Sequence, residues 1–157
     1  ENGIEDYEFL VVGEGNEREY LEGNLKQKSL TGFLSGEPLA EAYANMDIFL
    51  FPSETDAFGN VAQEANASGV PAIVSNKGGP KFIIKDGESG YVATETSDYS
   101  KRVIELYRDR EKLARMKAAA RDSAVSNSWD AIFSGVFDSY REAIDIQKRK
   151  QQKNAND

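Results

Sequence analysis

The chain has 157 residues, enough for one ordinary domain with a real core, and 39% of them are hydrophobic. It contains no cysteine and no histidine, which excludes disulfides, thiolate nucleophiles and Cys/His zinc clusters and removes the commonest general base. A net charge of −8 argues against nucleic acid or an anionic membrane surface as a partner, and no apolar run reaches the ~18 residues that span a bilayer.

The chain begins with a predicted strand, Tyr7 to Val12, that ends at Gly13-Glu14-Gly15. A G-x-G after a strand invites a dinucleotide reading. The third glycine position holds Arg18, however, and a tight strand-to-helix turn fits better. Asn16 is predicted to cap a polar helix running to about Lys28, with Tyr20, Leu21 and Leu25 as its buried stripe. Leu30 to Leu34 reads as a short strand. Gly36-Glu37-Pro38 opens the next helix, with proline in the first turn and Leu39, Ala42, Tyr43 and Met46 on its apolar face.

The most informative stretch follows. Asp47 to Phe51 is an apolar run bounded by Pro52 and reads as a buried strand. A polar turn and Gly59-Asn60 lead into a helix carrying Val61, Ala62, Ala65 and Ser68. Gly69 closes it and Pro71 stops continuation. Pro71 to Ser75 is a second buried strand. Strand, short helix, strand in about 25 residues predicts a crossover in a parallel sheet.

The amides of Phe58, Gly59, Asn60 and Val61 fall at the helix start, where unpaired N–H groups and the dipole favour an anion such as phosphate. Gly59 lets a ligand approach the backbone. Asp56 in the loop and Glu64 one turn into the helix are placed to flank that anion. Carboxylates there suit the vicinal diols of a ribose or a sugar.

Asn76 to Pro80, with Gly78 and Gly79, is a turn cluster beyond a strand's carboxyl end, where open α/β sheets bind ligands. Lys77 and Lys81 are placed to meet a phosphate there, although a bland surface role fits each of them better. A short helix at Phe82 to Ile84 stops at Asp86-Gly87, and Ser89-Gly90 leads into a strand, Tyr91 to Ala93. The rest reads as helix from Ser97. Val103, Leu106 and Tyr107 pack one helix, and Leu113, Met116 and Ala120 the next. Ser128 is the N-cap of a long amphipathic helix with Ile132, Val136, Phe137, Tyr140 and Ile144, and Trp129 is expected to anchor the core. Residues 1–146 are assigned to one domain and 147–157 to a solvated, frayed polar tail.

The run S-x-x-D-x-F-G-x-x-x-x-E-A-x-A-x-G-x-P from Ser53 to Pro71 resembles the signature of family four retaining glycosyltransferases of the GT-B fold, with their Glu-x7-Glu pair. The flanks agree too: Gly32-Phe33-Leu34, Met46-Asp47, Gly78-Gly79-Pro80, Asp86-Gly87, Gly90-Tyr91-Val92 and Ser128-Trp129-Asp130. One position departs, since Asp56 is a methylene shorter than the usual glutamate.

The resemblance implies an α/β fold, a Rossmann-like parallel sheet with helices on both faces, forming the C-terminal, donor-binding half of the enzyme without its first strand-helix unit. It implies transfer of a sugar from a UDP- or GDP-linked donor to an acceptor hydroxyl, with retention and without a metal. There is also no Asp-x-Asp pair to hold one.

In this scheme Asp56 is the catalytic acid that orients the donor sugar's hydroxyls, and Glu64 binds the ribose. Phe58 to Val61, Gly78 and Gly79 hold the rest of the donor, and Phe33 and Leu34 border the base. The acceptor-binding N-terminal domain and two diphosphate-neutralising cations lie outside these residues, so the segment alone is expected to be inactive. A cytoplasmic location follows, with any membrane attachment at its inner face through the other half. The alternatives are an epimerase or phosphorylase of the same architecture, or a non-catalytic nucleotide-sugar-binding module.

Overall fold

A computed structural model describes residues 4–154, without the side chains of Trp129, Lys153 and Asn154. The chain divides into two units, Glu1–Ser123 and Ala124–Asp157.

The first unit carries five parallel strands in two sheets. Strands β1 (Phe9–Val12) and β2 (Lys28–Gly32) form a pair, and β3 (Phe49–Phe51), β4 (Ala72–Ser75) and β5 (Gly90–Ala93) form a triple with β4 in the middle. Helix α1 (Arg18–Asn24) links β1 to β2, α2 (Glu37–Ala44) links β2 to β3, and α3 (Asn60–Ala67) links β3 to β4. A single 3-10 turn, Pro80–Phe82, precedes β5, which is followed by α4 (Thr96–Arg108) and α5 (Arg110–Ser126).

The triple is the packed part of the molecule. All four residues of β4 are buried, as expected of a central parallel strand covered on both faces. Strand alternation sends Ile73 to one side, with Tyr91, Ala93, Leu106, Leu113 and Met116, so α4 and α5 cover that face. Ala72 and Val74 point to the other side, against Ala62 of α3, Ile84, Phe49 and Phe51. Tyr43 joins Ala65 and Val70 in a third cluster that fixes α2 to α3.

A charged clamp ties the first face together. The Tyr91 hydroxyl donates to Glu105 Oε1 at 3.0 Å, Arg102 pairs with Glu105 Oε2 at 2.8 Å, and Lys112 of α5 also reaches Glu105. The Arg102 guanidinium lies 4.3 Å from the centre of the Tyr91 ring. These partners, Lys112 foremost, hold the Glu105 carboxyl down at about 2.

Local chemistry moved several predicted boundaries. Helix α1 is shorter than predicted and its cap is Glu17 rather than Asn16. Leu25 is already extended, Gln27 has φ 47°, and β2 starts at Lys28. Tyr20, expected in a buried stripe, is 63% exposed. Proline sits in the first turn of α2 as anticipated, and Gly69 (φ 72°) follows the end of α3. The predicted helix at Phe82 is displaced to the 3-10 turn that Pro80 opens.

In the second unit helix α6 (Trp129–Asn154) follows the last residues of α5, and Ser128 Oγ accepts from the Ala131 amide at 3.3 Å, so Ser128 is its cap. The helix continues through residues 147–154, the segment expected to fray, and its side chains are exposed over 147–152. Residues 155–157 of that tail, and the anchoring role expected of the Trp129 side chain, lie outside the described residues.

Candidate functional site

Loop 52–59 carries the chain from the carboxyl end of β3 to α3, and a second loop, 76–79, leaves the carboxyl end of β4 beside it. Glycines let the two loops touch. The Gly79 amide donates to the Asp56 carbonyl at 2.9 Å. A Cβ on Gly79 would stand 2.0 Å from the Ala57 carbonyl oxygen, and one on Gly78 (φ +73°) 2.6 Å from that of Asp56. Gly78 and Gly79, predicted as ligand contacts, thus have a packing role: they seat one loop on the other.

Gly59 is buried and left-handed (φ 94°, ψ 46°) at the N-cap of α3, and a Cβ there would fall 2.7 Å from Pro80 Cγ. Such a conformation suits glycine. No side chain caps the helix, and no acid occupies its first turn. The Gly59 carbonyl accepts from the Ala62 and Gln63 amides. Among the described residues, the amides of Gly59, Asn60 and Val61 find no protein acceptor. They form an anion-attracting edge.

The Phe58 amide differs from expectation. It donates to Asp56 Oδ1 at 2.9 Å and is therefore engaged by the protein. Asp56 builds an Asx turn with its own backbone through Oδ1. That geometry was legible in principle, because an aspartate two residues ahead of an amide at a loop-to-helix junction is the Asx-turn pattern.

Glu64 is exposed on α3, yet its carboxylate is held. The Tyr43 hydroxyl donates to Glu64 Oε2 at 3.0 Å from a ring only 6% exposed. Burial first, and the Glu64 carboxylate second, push the Tyr43 hydroxyl above its ordinary pKa, so it remains a donor. Periodicity put Tyr43 on an apolar face, where it is, but carried no signal for this bond across 21 residues.

The remaining predicted residues separate. Phe33 is 78% exposed and Leu34 is half-buried. Lys77 is paired with Glu54 at 2.9 Å, and Lys81 lies 5.1 Å from the centre of the Phe82 ring. A cavity of about 410 Å³ opens beyond the carboxyl ends of β3, β4 and β5, lined by Glu54, Ser75, Thr94 and Tyr99 among others. Asp56, Gly59 and Glu64 do not line it.

The model of the family described as "Glycosyl transferases group 1" matches residues 1–123. The chain belongs to this family. It is 32% identical over 151 residues to a GDP-mannose-dependent alpha-mannosyltransferase of Corynebacterium glutamicum, covering 94% of this chain and 36% of that one. The chain thus spans about a third of the length of the curated relatives it matches.

Among solved structures it resembles sucrose-phosphate synthase from Thermosynechococcus elongatus, with TM-score 0.71, 25% identity, and coverage of 87% of this chain and 38% of that one. It also shares the fold of Anabaena Alr3699/HepE, solved in complex with UDP, with TM-score 0.70, 19% identity, and coverage of 90% and 43%. The architecture is that of a GT-B glycosyltransferase domain, as the sequence led us to expect. Among the described residues, no helix is long and apolar enough to cross a membrane.

Proposed function

We propose that this chain is the donor-binding half of a retaining glycosyltransferase and grips a nucleotide diphosphate sugar at the start of α3. The single observation that carries this reading is the set of three amides, Gly59, Asn60 and Val61, left without protein acceptors between two carboxylates, Asp56 and Glu64. Family membership supports it, as do a relative named for GDP-mannose and a fold neighbour solved with UDP.

In this reading the amides receive the distal phosphate as charge develops on the leaving group, a preorganised electrostatic stabilisation that needs no proton transfer. Glu64 accepts from the ribose hydroxyls through the oxygen that Tyr43 leaves open. Asp56 Oδ2 accepts from hydroxyls of the donor sugar, and its Oδ1, bonded to Phe58, keeps the carboxylate fixed. The shorter aspartate, tethered in this way, suits orientation rather than covalent attack.

No step in this scheme requires a metal. The acceptor hydroxyl belongs to the second substrate. Titration calorimetry of the full chain with UDP, GDP and their sugars tests the reading. Wild type is expected to bind at least one of them, and Glu64→Gln to weaken that binding about tenfold or more, the scale of one charge-assisted bond. Unchanged binding in the variant contradicts it.

A further inference from the structure

Tyr43 lies outside the loop and helix that form the candidate site. It belongs to α2, packs edge-on against Phe49 at 5.8 Å and shares a buried cluster with Ala65 and Val70. The residue is 6% exposed, and its hydroxyl meets Glu64.

We infer that Tyr43 is a positioning residue for the donor: its buried ring and single hydrogen bond lock the Glu64 carboxylate in the orientation that receives the ribose diol. This rests on the donor-site reading above and extends it to α2. A glutamate on an exposed helix face has three free torsions, and ordering them when a ligand arrives costs entropy. The Tyr43 ring has far less freedom, because it is buried in the cluster with Ala65 and Val70 and packs edge-on against Phe49. Its bond to Oε2 therefore restrains the carboxylate before binding and leaves Oε1 to accept.

Glu64 stands one turn past the unpaired amides, so the same bond sets the spacing between ribose and phosphate. A merely structural staple between α2 and α3 would leave ligand discrimination untouched. The positioning role predicts that it changes.

The test is calorimetry on the full chain with GDP and UDP, each beside its 2′,3′-dideoxy counterpart. For wild type, removing the two hydroxyls weakens binding about tenfold or more. In Tyr43→Phe, affinity for the intact nucleotide falls roughly fivefold, the dideoxy form is little affected, and the ratio shrinks towards about twofold. A Tyr43→Phe ratio equal to that of wild type overturns the inference.

Glu64→Gln separates the two failures. If its ratio collapses while that of Tyr43→Phe does not, the role of Tyr43 is wrong and the donor site stands. If neither variant moves the ratio, or wild type binds none of the four nucleotides, the donor-site reading itself falls. A second measurement needs no variant. Three-bond couplings of the Glu64 side chain in the free chain should report one rotamer, and averaging over several overturns the proposal.

Discussion

Two of the glycine-bearing loops that lead from a parallel strand into a helix, those after β1 and after β3, differ in what surrounds the helix start. After β1, Gly13-Glu14-Gly15 leads into α1, a seven-residue helix with no buried side chain. Its first turn is closed by Gly15 and acidic, with Arg18 already paired to Glu14 and Glu22. After β3, loop 52–59 leads into α3, whose first turn is free of acids and whose underside holds buried Ala62, Ala65 and Asn66. A Cβ on Gly13 or Gly15 would meet nothing, whereas one on Gly59 would strike Pro80. The two loops differ in the packing behind the glycine and in the acids of the first helical turn, and these differences are why α3 is the one we propose as the donor site.

The packing contrast between the two sheets gives the largest expected effect. Ile73 is completely buried at the centre of β4, so Ile73→Ala should cost about 2–5 kcal/mol in chemical denaturation. Phe9 in β1 is 38% exposed, and Phe9→Ala should cost only about 1 kcal/mol. Equal losses would erase the distinction between a packed half and a supporting half.

Next in size is Gly79→Ala. The added methyl would meet backbone rather than a movable side chain, so loops 52–59 and 76–79 must separate. A loss of about 1–3 kcal/mol is expected, together with weaker nucleotide binding. A stable variant that binds normally would show that the loop contact does not shape the site.

The smallest effect concerns pH. The Glu105 pKa is depressed from 4.5 to about 2 in the folded chain, so its contribution is fully present above 4.5 and is lost as pH falls towards 2. Glu105→Gln should therefore be less stable than wild type at neutral pH, with the gap closing across that window. A gap that stays constant would show that the Tyr91, Arg102 and Lys112 clamp does not act through charge.

Much of this was legible in the residues. The buried strands, the αβ alternation and the closure of α3 by Gly69 follow from hydrophobic runs and turn chemistry. The loop position of Asp56 and the placing of Glu64 inside α3 were likewise visible in the spacing. What periodicity did not carry was anything made by side chains far apart in sequence. The Tyr43–Glu64 bond, the seating of Gly78 and Gly79 on the 54–58 backbone, and the Lys77–Glu54 pair all join separate elements. The early end of α1 escaped for a different reason, since Leu25 takes an extended conformation in a sequence of otherwise good helix formers.

The central claim is that a nucleotide diphosphate docks on the first amides of α3. Titrating the 15N-labelled full chain with UDP and with GDP tests it most directly. Saturable shifts are predicted at Gly59, Asn60 and Val61, with the Gly13 and Gly15 amides still. Shifts at Gly13 and Gly15 instead, or none at the three α3 amides with either nucleotide, would contradict it.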